Sequence, residues 1–274
     1  MSRLRNILRA TKRELLGPGE ISILGRPYRV AYEAREAWDE PDFAVMAQLA
    51  RGRDCVFDVG ANKGITTLLM AAAAADSGVV YAFEPSEEGC RIVGANAALN
   101  GLDRRIRIVN ALVAAHGGQC LDFSWDGSSV FAGILSDQQA GAFTLRESFV
   151  LQKATISLDD FSRQHGLTPD FIKIDVEGAE ILVLRGMSEL LRTARPAVFV
   201  ECHVLSDRSA GANAMDLLAC VQPFEYRMIR LKTGAEVRDI HAFDGLTTRT
   251  YLLLLPLERD PAPWLADLDT TTLT

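Results

Sequence analysis

The sequence predicts an α/β fold built on a mostly parallel sheet flanked by helices, and three observations carry that expectation. The apolar run Cys55-Val56-Phe57-Asp58-Val59 leads into Gly60-Ala61-Asn62-Lys63-Gly64, so a strand enters a glycine turn that opens a helix. Val79-Val80-Tyr81-Ala82-Phe83 reads as a second strand, and it ends on an acid, Glu84. Further apolar runs at 106–109, 171–174 and 197–201 alternate with helical stretches, which is the pattern of parallel strands joined by crossover helices.

The elements follow in order. Residues 2–16 have the spacing of an amphipathic helix, with Leu4, Ile7, Leu8, Leu15 and Leu16 apolar and a basic opposite side, stopped by Gly17-Pro18-Gly19. Such a helix suits packing on its own domain or peripheral contact with an anionic membrane. A hairpin is expected from strands at 21–24 and 28–32 around Gly25-Arg26-Pro27, then a helix over 42–51. After the first strand the helix should run over 65–75, and after the second over 87–100, ended by Gly101. A third strand at 106–109 precedes an irregular insertion, 111–157, with strand-like pieces at 119–125 and 154–156. Next come a helix over 157–165 capped by Ser157, strand four at 171–174, a helix over 179–193, and strand five at 197–201. A helix at 212–221 and two closing strands, 226–230 and 251–255, complete the expected order as an antiparallel pair. The chain so divides into a helix-and-hairpin extension (1–41), a main domain (42–256) and a surface tail (257–274).

Composition narrows the function. A net charge of −7 in 274 residues argues against a nucleic-acid partner, because phosphate binding relies on Lys and Arg. The five cysteines lack the paired spacing of a zinc or redox site and read as free thiols of a reducing compartment. No secretory leader and no membrane-spanning run is visible, so a cytoplasmic location is expected.

A strand, a glycine turn and an acid at the end of the next strand form a pocket for an adenosine group. A dinucleotide turn carries closely spaced glycines, G-x-G-x-x-G, whereas only Gly60 and Gly64 stand here, and the G-K-[ST] ending of a phosphate loop is missing. Asp58 would repel a pyrophosphate, yet it could hold an ammonium. S-adenosylmethionine offers an ammonium, a ribose for Glu84, and no phosphate.

Four pieces in order carry a resemblance: Asp58-Val59-Gly60-Ala61-Asn62-x-Gly64, Phe83-Glu84-Pro85, Ile156-Ser157-Leu158-Asp159-Asp160-Phe161, and Ile172-Lys173-Ile174-Asp175-Val176-Glu177-Gly178-Ala179-Glu180. Together they resemble the FkbM family of S-adenosylmethionine-dependent methyltransferases over about residues 54–205. The resemblance implies a class I methyltransferase fold, Rossmann-like with a seven-stranded sheet, and O-methylation of a hydroxyl on a sugar, glycan or secondary metabolite. It also implies cofactor contacts from Asp58, Gly60, Asn62, Gly64 and Glu84, with Asn110 and Ala111 at the adenine.

Ligands of an open α/β sheet bind beyond the carboxyl ends of its strands, where Asp175, Glu177, Glu201 and His203 lie. A hydroxyl needs a base before it becomes a competent nucleophile. His203 is the first candidate by its ordinary pKa, with Glu201 or Asp175 orienting it or serving instead. Asp175, Glu201 and His203 could alternatively hold a divalent ion, a reading the histidine weakens for Mg²⁺, and no metal is assigned. Trp125, Phe131 and Phe143 could cover an acceptor pocket. The competing functions are an NAD(P)-dependent oxidoreductase, disfavoured by the missing glycines, and a non-catalytic cofactor-binding partner protein.

Overall fold

The computed structural model describes residues 15–37, 40, 42–125, 133–134, 149–203, 209–244, 246, 249–261 and 265. Residues 2–14 of the expected first helix, together with Phe131 and Phe143 and the side chain of Trp125, lie outside them.

A hairpin of β1 (Gly19–Ile23) and β2 (Arg26–Val30) opens the described chain. Its turn is Leu24-Gly25, both at positive φ (50° and 74°), where Gly25-Arg26-Pro27 was expected. A two-residue turn with both residues left-handed matches strand twist, and Pro27 can then sit in an edge strand. Helix α1 (Phe43–Ala50) leads to β3 (Cys55–Val59), α2 (Ile65–Ala73), β4 (Val79–Phe83), α3 (Glu87–Leu99) and β5 (Ile106–Val109). The insertion folds as a small second sheet of β6 (Leu112–Val113), β7 (Cys120–Trp125), β8 (Gly133–Ile134) and β9 (Phe149–Ile156), in the order β6-β9-β7-β8. Then follow α4 (Leu158–His165), β10 (Phe171–Ile174), α5 (Glu180–Arg185), α6 (Ser188–Thr193), β11 (Ala197–Cys202), α7 (Ala210–Val221), β12 (Tyr226–Arg230), β13 (Ala235–Glu236) and β14 (Thr250–Pro256).

The main sheet runs β13-β12-β14-β11-β10-β3-β4-β5. Strands β5, β4, β3, β10 and β11 are mutually parallel, while β14 runs antiparallel to β11 and to β12. The sheet has eight strands where seven were expected, because the two-residue β13 folds back on β12. The chain winds outward from β3 to β5 and returns to place β10 on the other side of β3. The crevice at the tips of β3 and β10 is therefore the topological switch point, where ligands of such sheets bind.

Each face of the sheet has its own core. The hairpin residues Ile21, Ile23, Tyr28 and Val30 join α1, α2 and α3 on one face, so the extension shares the main domain's core. Helices α4 to α7 cover the other face through Leu158, Val183, Leu190, Leu217 and Val221. The single helix expected over 179–193 is broken at Gly186. A Cβ there would stand 2.2 Å from the Ala114 carbonyl oxygen, so the chain crosses β6 too closely for any side chain. The Asp159 carboxylate then accepts the N–H groups of Glu189 and Leu190 and caps α6 separately (2.9 Å each).

The tightest crossing is at the switch point itself. Gly60 has φ +82°, and a Cβ on it would lie 1.8 Å from the Asp175 carbonyl oxygen at the end of β10. Both the backbone angle and the contact exclude a side chain. Gly60→Ala should therefore cost at least ~1–2 kcal/mol from the left-handed backbone alone, with more from the collision. Chemical denaturation of wild type and variant checks this; equal midpoints would show that the β3–β10 crossing is looser than described.

Candidate cofactor and catalytic cleft

The turn after β3 is held from two sides. Gly60 N–H and Ala61 N–H both donate to the Phe83 carbonyl at the end of β4 (3.0 Å each). Asn62, at φ +53°, donates its N–H to Glu84 Oε2 (2.9 Å), and Ser86 donates its N–H to Glu84 Oε1 (2.9 Å). Glu84 is 1% exposed, and burial pushes its carboxyl up to about 7 against the pull of those donors. Each oxygen accepts one backbone hydrogen bond, and the Ser86 side chain bonds the carboxylate as well, which leaves it acceptor capacity toward the cleft that it lines. Gly89 in α3 makes room for it: a Cβ there would sit 2.7 Å from Glu84 Cγ.

The cleft beside this turn is lined by Val59, Gly60, Asn62, Glu84, Ala111 and Asp175, with Phe83, Leu112, Val113 and Glu177 among the rest. A second chamber of about 350 Å³ opens beyond the turn, lined among others by Asp42, Lys63, Lys173, Glu201 and Arg249. The two share Gly60, Asn62, Asp175 and Glu177.

Beneath the turn lies the feature that sequence reasoning missed. Lys173 is 2% exposed in the middle of β10, directly in register with Asp58 of β3. Its Nζ donates to the Gly60 carbonyl (2.9 Å) and lies 3.2 Å from Asp58 Oδ1 and 3.3 Å from Asp175 Oδ2. Burial by itself would depress this lysine; the carboxylates of Asp58, Asp175 and Glu201 overcome it and hold the ammonium above its ordinary range. A lysine inside an otherwise apolar four-residue strand was the available signal, because a buried charge needs a partner.

Several assignments change as a result. Asp58 does not line the cleft. It is fully buried, and Oδ2 accepts from Thr66 (3.1 Å) and Thr67 (2.5 Å), so it supports the turn from below. Gly64 begins α2 at φ +77° against Val93, a packing role. Asn110 points its amide at the Glu84 and Pro85 carbonyls (2.9 and 3.0 Å) and accepts from Lys153; of the expected adenine pair only Ala111 lines the cleft.

His203 is not the near-neutral imidazole expected of a base. Its Nδ1 lies 2.8 Å from Glu180 Oε1, and its Nε2 lies 3.3 Å from Glu177, 3.4 Å from Glu201 and 3.8 Å from Asp175. Burial opposes the charge, but hydrogen bonds to Glu180 and Glu201 and the nearby Asp175 prevail, and the group is pushed up to about 11. His203 is then an imidazolium throughout the neutral range. Glu177 stands at φ +52° and is pushed up to about 7 by burial, with His203 pulling it down and three carboxylates pushing it up. Glu201 is tied to Arg249 (2.8 Å), whose other nitrogen reaches Glu40 (3.1 Å). Single atoms of Asp175, Glu177 and His203 lie within 4.8 Å of one another, so a divalent ion could fit geometrically, at the cost of displacing the His203 proton.

The model of the methyltransferase FkbM domain matches residues 58–236. The chain belongs to the FkbM family of S-adenosylmethionine-dependent methyltransferases. No curated protein matches it. Among solved structures it is similar to the methyltransferase FkbM from Methylobacillus flagellatus KT, with 14% identity, TM-score 0.48, and coverage of 74% of this chain and 44% of that one. The chain thus spans less than half of that protein's length. It is similar also to a SAM-dependent methyltransferase from Agrobacterium tumefaciens, with 13% identity, TM-score 0.48, and coverage of 87% and 70%. An O-methyltransferase from Bacillus cereus in complex with SAH shares 12% identity, TM-score 0.44, and coverage of 79% of each chain. No helix among the described residues is long and apolar enough to cross a membrane.

Removing one member of a buried ion pair leaves the other uncompensated, typically at ~3–5 kcal/mol. Lys173→Met should lose stability of that order in urea unfolding, and adding Asp58→Asn to it should restore part of the loss. A single variant within about 1 kcal/mol of wild type would remove Lys173 from its place beneath the turn.

Proposed function

We propose that this chain O-methylates a hydroxyl group of a sugar, glycan or secondary metabolite. The donor side of this reading is supported by the charge of the first cleft: its ionisable lining residues are Glu84, Asp175 and Glu177, with no lysine or arginine among them. Such walls repel the pyrophosphate of NAD(P) and favour a cationic donor. When bound, S-adenosylmethionine would supply an electrophilic methyl group and leave as a neutral thioether. Glu84 would hold the ribose hydroxyls, and the Ala111-Leu112-Val113 wall would face the adenine.

Glu177 suits the proton acceptor better than His203. It lines both the adenosine cleft and the second chamber, and a carboxyl held near 7 matches the working pH of a general base. Its proton would come from the acceptor hydroxyl as the new C–O bond forms. His203 would stay protonated and orient Glu177, Asp175 and Glu201 from behind. With this imidazolium, Lys173 and Arg249 already balancing the carboxylates, we propose transfer without a metal. The acceptor's reacting end would enter the second chamber beside Glu177 and Glu201, with Phe199 as apolar wall.

The direct test is mass spectrometry of a panel of hydroxylated acceptors, read for the gain of one methylene unit. Methylated oxygen is expected; methylated nitrogen, or reduction of an added nicotinamide cofactor, would contradict the proposal. With an acceptor in hand, the rate should rise with pH through about 7 as Glu177 loses its proton. Glu177→Gln should lower kcat roughly 10²- to 10⁴-fold and abolish that rise. A rise that survives the substitution would place the base elsewhere.

A further inference from the structure

Resting on the donor reading above, we propose that Asp42, at the head of α1, receives the ammonium of the donor's amino-acid arm, the contact that Asp58 cannot make. The two cavities meet at Gly60, Asn62, Asp175 and Glu177, so a ligand with its adenosine in the first cleft can send that arm across this boundary, over the glycine turn. The arm then enters the second chamber, whose wall includes Asp42 and Lys63.

Asp42 is the acid of this chamber that the fold leaves open. It is 4% exposed, and its Oδ1 has no hydrogen-bond partner among the described residues. The other buried or half-buried carboxylates have cations: Arg249 takes Glu40 and Glu201, Lys173 takes Asp175, and His203 takes Glu177. Glu36 lies exposed at the chamber's rim and needs none. Among the described residues its own backbone N–H is the one donor acting on it, and a buried carboxylate without a cation is costly, so the arriving ammonium would remove that cost with a charge-assisted hydrogen bond to Oδ1. Phe43 and Met46 beside it exclude water, which strengthens the attraction. Burial, with Glu40, Glu201 and Asp175 facing it, pushes the Asp42 carboxyl up to about 7, and a bound cation would pull it down again. Lys63 on the same wall supplies the opposite charge for the arm's carboxylate, so the chamber suits a zwitterion.

The test separates the arm from the nucleoside. Calorimetric titrations would use S-adenosylhomocysteine, which has the amino-acid arm, and 5′-methylthioadenosine, which keeps the adenosine and sulfur and lacks the arm. Asp42→Asn should weaken the first roughly 10- to 100-fold and the second less than about twofold. Because a buried unpaired charge is removed, the melting temperature of the ligand-free variant should stay level or rise. Asp42→Ala, measured alongside, should repeat the selective loss, so that a folding defect peculiar to one variant does not decide the matter. Unchanged affinity for S-adenosylhomocysteine, or equal losses for both ligands in both variants, would overturn the assignment. A wild-type protein that binds neither ligand would instead overturn the donor reading, and this inference with it.

Discussion

The buried ion pair between Lys173 and Asp58 is the interaction on which the rest of the cleft depends. It joins the two strands that flank the switch point, and the same ammonium holds the Gly60 carbonyl and the Asp175 carboxylate. Three things that must agree are therefore set by one group: the spacing of β3 and β10, the conformation of the glycine turn, and the direction of the first acid beyond β10. An apolar pair in the same register could pack as well and be at least as stable. It could not, however, fix a carbonyl and two carboxylates relative to one another. The pair exchanges stability for geometry, and the geometry is what a bound donor would meet.

Around that pair the cleft balances charge without neutralising its walls. Carboxylates line the first cleft, and the cations sit behind or beyond them as Lys173, His203 and Arg249. Such walls disfavour a phosphate and favour a cation in the first cleft. It also changes what a histidine at a strand end means. Surrounded by Glu177, Glu180, Glu201 and Asp175, His203 behaves as a fixed cation that spaces four acids, and the titrating group near neutrality becomes the carboxyl beside it.

Much of this was legible in the sequence because strands and turns are written locally. The strands β3, β4, β5, β10 and β12 fall where alternation and glycine punctuation place them, and Glu84 sits where an acid ending the second strand should. Gly60 was legible as well, although its reason, the approach of Asp175's carbonyl, is a contact 115 residues away in sequence. What stayed hidden depends on partners distant in sequence. Asp58 reads as a ligand-facing acid until Lys173 is placed opposite it. His203 reads as a base until the carboxylates of the 175–180 segment close around it opposite Glu201. The break in the helix at Gly186 could be read only once the Ala114 carbonyl was known to cross there. Asp42 carries no motif at all, and only its burial without a partner distinguishes it.

The central claim is that the crevice over Gly60 holds a phosphate-free adenosine donor while Lys173 fixes the turn from beneath. A crystal structure of the complex with S-adenosylhomocysteine tests it most directly. The account predicts ribose hydroxyls on Glu84, adenine against Ala111 to Val113, the amino-acid arm crossing Gly60, and Lys173 still bonded to the Gly60 carbonyl. Density for the nucleoside outside this crevice, or a Lys173 side chain turned away from the turn to meet the ligand, would contradict it.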